Sequence, residues 1–329
     1  MSTQPTVNLA EILHVDFPAA RAHAIPAANG VRELDLGALV EKSTPHHDDA
    51  AARRQAAGMR GDFVRFYGLR ENPFGDAVNP AYLYQTESHI AAYTRMRLAI
   101  EHDISMAMIT GPSGMGKTLI TQVLLQELDP LKYETALVLV SPGLSKTGLL
   151  REILCELNTA APEGLTRTHD LLRILSDYII DLHQSGRRLV LIVDECHLLS
   201  TDCLHLVRTI SNIEIPERKL TTCVLIGEAR FTARLEHPSY ESLRNRMYLR
   251  AALEPMSAEE CEQYVKFRLM VAGRIEAVFS SEAFAAVHSL SGGVCRNINK
   301  LCMLSLLEGA LRHKDLIDAA TVEAGACMM

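Results

Sequence analysis

Lys117 and Thr118 close an eight-residue run, Gly111-Pro112-Ser113-Gly114-Met115-Gly116-Lys117-Thr118, whose residue types and spacing suit the holding of a chain of phosphates. The glycines free the backbone to turn its N–H groups inward and form a nest for anionic oxygens. Lys117 offers a compact positive charge to the β- and γ-phosphates, and Thr118 offers a hydroxyl to Mg²⁺. Residues Gly111 to Leu119 are therefore the expected nucleotide-binding set. Phosphate binding alone does not cleave a phosphoanhydride, and a second pattern supplies what is missing. The apolar run Leu189–Val193 ends in Asp194-Glu195. A carboxylate at the end of a buried parallel strand would sit beside the phosphate loop. Asp194 then holds Mg²⁺, directly or through water, and Glu195 polarises the attacking water as general base.

The elements around these residues are those needed to aim them. Ser105–Thr110 is an apolar run ending at Gly111 and reads as a buried strand, and Leu119–Leu128 has helical periodicity. The helix then points the positive end of its dipole at the phosphates. Further strands are expected at 136–140, 189–193, 222–226 and 247–250. Helices are expected at 89–101, 146–157, 168–183 and 201–212. This alternation implies a parallel sheet covered on both faces. After Pro255 the pattern is purely helical, with expected helices at 258–272, 281–289 and 297–312. Three parts follow: a largely flexible extension over 1–62 with one or two docking segments, a P-loop core over 63–252, and a helical lid and tail over 253–329.

The bulk properties exclude several classes. The chain has 329 residues, 48% hydrophobic and 22% charged, with a formal net charge of −7. This is the composition of a globular protein without a general nucleic-acid-binding coat, although a local basic stripe remains compatible with it. No apolar run reaches the roughly 18 residues of a membrane span, and no signal peptide is evident, so a cytoplasmic protein is expected. Eight scattered cysteines form no C-x-x-C pair, so zinc is not expected, and reduced core thiols are.

Together these residues resemble the AAA+ ATPases, and within them the ExeA-like group, which lies near the TniB/TnsC-type transposition regulators. The likeness covers about Phe63 to Leu311. It rests on Phe66-Tyr67-Gly68-Leu69-Arg70-Glu71-Asn72-Pro73-Phe74, Tyr82-Leu83-Tyr84 with His89, the P-loop and Asp194-Glu195-Cys196-His197-Leu198-Leu199. It continues through Leu225-Ile226-Gly227-Glu228, Leu243-Arg244-Asn245-Arg246 and Gly293-Val294-Cys295-Arg296-Asn297-Ile298-Asn299. The resemblance implies an α/β AAA+ core with a C-terminal helical lid, and an enzyme that hydrolyses ATP with Mg²⁺ as a homo-oligomeric ring or filament. It implies that Arg244 or Arg246 reaches a neighbouring subunit's nucleotide, and that Arg296 touches the nucleotide from the lid. The alternatives are a surface arginine pair and an ordinary capped helix start. The group's usual Gln after the strand-end Gly is Glu228 here, so Thr222 or a nearby hydroxyl is the other candidate for sensing the γ-phosphate.

The resemblance carries three expectations of function. The first is a DNA-associated regulator of transposition that assembles on duplex DNA through Lys146 and Thr147 and recruits a transposase. The second is an assembly ATPase for a secretion or envelope machine; this chain shows no membrane segment after the lid, a departure from that group. The third is a nucleotide-dependent protein-interaction switch.

Overall fold

The computed structural model describes residues 62–75, 79–159, 164–216 and 218–329. The expected docking segments of the N-terminal extension lie outside the described residues. Five parallel strands form the main sheet: β1 (Met106–Thr110), β2 (Tyr133–Leu139), β3 (Arg188–Asp194), β6 (Thr221–Gly227) and β7 (Met247–Ala252). A two-stranded antiparallel ribbon, β4 (Glu214–Ile215) with β5 (Arg218–Lys219), precedes β6.

The inner strands are buried along their whole length, which is why they read as unbroken apolar runs. Their alternate side chains divide between two cores. Ala107, Ile109, Val190, Ile192, Val224 and Ile226 face one side, and Met106, Met108, Leu191, Val193, Cys223 and Leu225 the other. Helices α1 (Phe63–Phe66), α2 (Glu87–Glu101) and α3 (Lys117–Glu127) belong to the first core. Helices α4 (Lys146–Glu156), α5 (Thr168–Gln184), α6 (Thr201–Ile210), α7 (Ala229–Leu235) and α8 (Glu241–Arg244) belong to the second. The result is an α/β sheet between helices, as the alternation requires.

Strand order is β2-β3-β6-β1-β7. The strand ending in Asp194 is thus not adjacent to the P-loop strand; β6 lies between them, an order on which the sequence reading is silent. Periodicity identifies strands but does not encode which strands pair. The register keeps their carboxyl ends level, with Thr110 opposite Gly227 and Val193 opposite Leu225.

Four helices follow the sheet: α9 (Ala258–Val271), α10 (Ser281–Ser291), α11 (Cys295–Leu311) and α12 (Ala319–Ala326). Ser257 and Glu260 form a capping box that starts α9. Helix α12 was not foreseen from periodicity; Asp318 caps it by accepting from the Thr321 N–H at 2.9 Å. Residues 63–75, expected to open the core, pack on these helices. The Tyr67 hydroxyl donates to the Lys314 carbonyl at 2.9 Å, the Arg70 N–H to Ala272, and Arg268 Nε to the Pro73 carbonyl at 2.5 Å.

The helical part joins the sheet through close backbone contacts. Leu253 N–H donates to the Thr110 carbonyl at 2.7 Å and Met256 N–H to the Gly293 carbonyl at 2.9 Å. Gly293 has φ +72°, and a Cβ there would lie 2.2 Å from the Met256 carbonyl oxygen. Gly293→Ala therefore meets both strain and a backbone clash. It is expected to destabilise the fold by about 1–3 kcal/mol in chemical denaturation, whereas Gly186→Ala, with the same positive φ but open space, should cost less.

Candidate active site

The loop after β1 turns on two left-handed glycines, Gly114 (φ +81°) and Gly116 (φ +84°), and delivers Lys117 as the first residue of α3. Its approach to the rest of the protein is close. A Cβ on Gly111 would lie 2.9 Å from Leu253, and one on Gly114 would lie 2.6 Å from Arg296 Cβ. The glycines are needed for clearance as well as for conformation.

Lys117 is buried, and its ammonium donates to the carbonyls of Gly111 (3.0 Å) and Pro112 (2.9 Å). Burial lowers its pKa; the carboxylates of Glu195, Asp194 and Glu228 oppose that shift. Thr118 Oγ1 donates to Asp194 Oδ2 at 3.3 Å, while Asp194 Oδ1 accepts the Glu195 N–H at 2.8 Å. Two hard oxygen donors, a hydroxyl and a buried carboxylate, therefore converge at the start of α3. This donor set suits Mg²⁺, which prefers a carboxylate plus substrate phosphates to a closed protein cage. Glu195 adopts φ +55°, uncommon for a residue with a side chain, and its carboxylate is partly exposed at the same sheet edge.

Arg296 lies in the first turn of α11 and meets the loop twice. Its N–H donates to the Gly114 carbonyl at 3.1 Å and its guanidinium to Ser113 Oγ at 3.0 Å. A cleft opens between the loop and the helical part, lined by Tyr82, Tyr84, Glu195, Tyr264, Arg268 and Asn299 along with the loop itself. The guanidinium of Arg268 lies 4.7 Å from the Tyr82 ring centroid and 5.4 Å from that of Tyr264. Sequence reasoning did not single out Arg268; its signal was a charge four positions after Tyr264 on one helix face.

His89 also escaped assignment of a role. Its Nε2 lies 2.8 Å from the Met115 carbonyl and its Nδ1 2.6 Å from Thr86 Oγ1. A carbonyl only accepts, so Nε2 carries the proton and Nδ1 accepts from the threonine. Burial lowers the His89 pKa, keeping the ring neutral for this arrangement.

The other candidates fall elsewhere. Arg244 and Arg246 precede β7, whose start pairs with the start of β1. They thus sit at the opposite edge of the sheet from their own P-loop, roughly 16 Å away along a five-residue strand. Arg244 pairs with Glu236 at 2.7 Å. Thr222 lies at that same far edge, where its hydroxyl accepts from Arg188 at 3.2 Å, so it is not a γ-phosphate sensor. Glu228 follows β6 at the site edge and pairs with Arg230 at 2.9 Å. Lys146 pairs with Asp202 at 3.4 Å, and Thr147 Oγ1 lies 3.0 Å from the capping Ser145 hydroxyl. Cys196 is fully buried and its thiol is pushed well up by burial, which excludes it as a nucleophile.

Residues 100–235 match the family described as AAA domain. The chain carries an AAA+ domain. Over 256 residues it is 35% identical to the General secretion pathway protein A of Aeromonas hydrophila, a match covering 77% of this chain and 46% of that protein. The chain therefore spans less than half the length of this curated relative. The fold is also similar to the ORC2 protein of Aeropyrum pernix (TM-score 0.59, 14% identity, 78% of this chain and 71% of that one). Drosophila ORC bound to DNA gives a TM-score of 0.59 at 14% identity, covering 91% of this chain and 70% of that one. At these identities the likeness bears on the fold alone. No helix among the described residues is long and apolar enough to cross a membrane.

His89→Ala should leave the Met115 carbonyl without its buried donor, a loss of about 1–3 kcal/mol. The expected outcome is weaker binding of a fluorescent ATP analogue in titration, with the melting temperature lowered as well.

Proposed function

We propose that this chain binds ATP with Mg²⁺ and hydrolyses it at the edge formed by Gly111–Leu119, Asp194 and Glu195. The observation that supports it is the Thr118–Asp194 contact, which brings the two motifs to one point across an intervening strand. In this reading the loop N–H groups and Lys117 bind the triphosphate, and Lys117 exchanges its two carbonyl partners for phosphate oxygens. Thr118 and Asp194 would hold Mg²⁺, which screens the charge on the phosphates. Glu195 accepts a proton from the attacking water. Arg296 reaches the phosphates from the helical part, so closure of residues 253–329 on the loop completes the site.

Arg244 and Arg246 are too far from their own loop to serve it, which supports a role toward a neighbouring copy in a homo-oligomer. The biological role best supported is assembly ATPase of a secretion or envelope machine, acting from the cytoplasmic side. The identity to the secretion protein supports it over the transposition reading. Lys146 is already paired with the carboxylate of Asp202.

Phosphate release tests the chemistry. Lys117→Ala should lose tight ATP binding. Glu195→Gln should retain binding and lose hydrolysis by about 10²-fold or more. Unchanged release by Glu195→Gln overturns the assignment of the base. The same assay with duplex DNA between 50 and 200 mM salt should show no stimulation; a salt-sensitive rise would favour the DNA reading. In the host, deletion should reduce protein export without reducing synthesis.

Mixing tests the neighbour contact. Glu195→Gln subunits, which keep their arginines, should restore hydrolysis to Arg246→Ala subunits. Failure with Arg246→Ala but success with Arg244→Ala would assign the role to Arg244.

A further inference from the structure

The residues beyond Glu195 turn back on the end of β6. Cys196–Leu198 form one short helical turn, with Cys196 buried beneath it. Gly227 allows this: a Cβ there would lie 2.9 Å from Cys196 Sγ. Arg234 fixes the turn's backbone by donating to the carbonyls of His197 (3.2 Å) and Leu199 (2.7 Å). The turn brings the His197 ring, whose side chain is only 5% exposed, to two carboxylates, with a ring nitrogen and one oxygen of each within 4.8 Å of one another. Nδ1 lies 3.2 Å from Glu195 Oε2, and Nε2 lies 3.8 Å from Glu228 Oε2. Arg230 Nε pairs with that same Glu228 oxygen at 2.9 Å.

The two ring nitrogens face different partners, so the tautomer chooses between them. A proton on Nδ1 faces Glu195 Oε2 at 3.2 Å in an ion-pair contact. A proton on Nε2 points at an oxygen beyond hydrogen-bond distance and sets the Nδ1 lone pair against the Glu195 carboxylate. That second form would gain only a 3.4 Å contact from the Glu228 N–H to Nδ1. The Nδ1–H form sets a donor in place of a lone pair toward the carboxylate, in exchange for the Glu228 N–H contact.

We propose that His197 is a positioning residue that holds Glu195 through Nδ1–H, with Glu228, itself paired with Arg230, converging on the same ring. This rests on Glu195 being the base that activates water. Its carboxylate hangs from a left-handed backbone position at a partly exposed edge, where it has rotamers to lose. One oxygen tied to a buried, clamped imidazole leaves the other free for the water, at no cost in ATP contacts. Among the described residues, His197 makes no hydrogen bond or ion pair with the P-loop; its polar partners are Glu195, Glu228 and Arg234.

Three substitutions separate this from a packing role. Asn places an amide near the position of Nδ1, Gln places one near Nε2, and Ala removes both. His197→Ala should lower kcat by about tenfold or more while the ATP dissociation constant stays within about twofold. His197→Asn should recover most of kcat and His197→Gln should not. In the Glu195→Gln background, His197→Ala should have no further effect on residual hydrolysis. Equal behaviour of Asn and Gln, or parallel losses of ATP binding and kcat, overturns the proposal. If His197→Ala does not fold, the Asn and Gln pair still decides. Failure of the underlying reading is distinguishable, because Glu195→Gln alone would then keep full hydrolysis.

Discussion

Everything at this site depends on a parallel sheet whose strand ends stop level with one another. Parallel pairing aims the carboxyl ends of β1, β3 and β6 at the same edge. The P-loop, Asp194-Glu195 and Glu228 each follow directly from one of those ends. Because β6 stands between β1 and β3, the two motifs are separated by two strand spacings, about 10 Å. Only side chains that reach inward from both sides can bridge that gap. Thr118 reaches from the first turn of α3 and Asp194 from the end of its strand, and they meet at 3.3 Å. The middle strand ends in glycine just where bulk would obstruct: its missing Cβ is what lets the Cys196 turn lie across it.

The second constraint is the docking of the helical part onto the loop. Arg296 is both backbone partner and side-chain partner of the loop, and Gly114 has no Cβ at the point where Arg296 crosses it. The same helices carry residues 63–75, through Tyr67, Arg70 and Pro73. The chain thus begins its described course on the helical part, passes the cleft at Tyr82 and Tyr84, and enters the sheet layer at α2, where His89 supports the P-loop. A movement of α9–α12 relative to the loop would therefore pull on both sides of the cleft. Arg268 is the joint of this arrangement, because it binds the Pro73 carbonyl and the Tyr264 hydroxyl and stacks on Tyr82.

How far the sequence spoke for itself varies with the kind of signal. The P-loop and Asp194-Glu195 were legible because phosphate chemistry demands particular residue types at local spacing. The strands were legible because burial on both faces removes polar residues from the run. Strand order was not, since the insertion of β6 between β1 and β3 depends on crossovers and not on composition. Helix α12, rich in alanine and short, lacks the amphipathic contrast that reveals α5 and α6. His89 and Arg268 were obscure for another reason: each acts on residues distant in the chain, and a lone histidine or arginine in a helical pattern looks like any other. Thr222 was misplaced by reading a strand as a point, when its two ends lie on opposite edges of the sheet.

Glu228 is the residue that fits least well, and its surroundings explain how it is tolerated. A third carboxylate beside Asp194 and Glu195 ought to repel a triphosphate. Its charge is instead paired with Arg230 at 2.9 Å, and His197 lies 3.8 Å from it and 3.2 Å from Glu195. Lys117 feels all three carboxylates, which counter the effect of burial on its ammonium. The acids that seem to oppose the substrate thus also oppose the downward shift that burial imposes on its main cationic ligand, without outweighing it. Mg²⁺ between Thr118 and Asp194 would offset the remaining negative charge, so binding of triphosphate and metal should be mutually dependent at this edge.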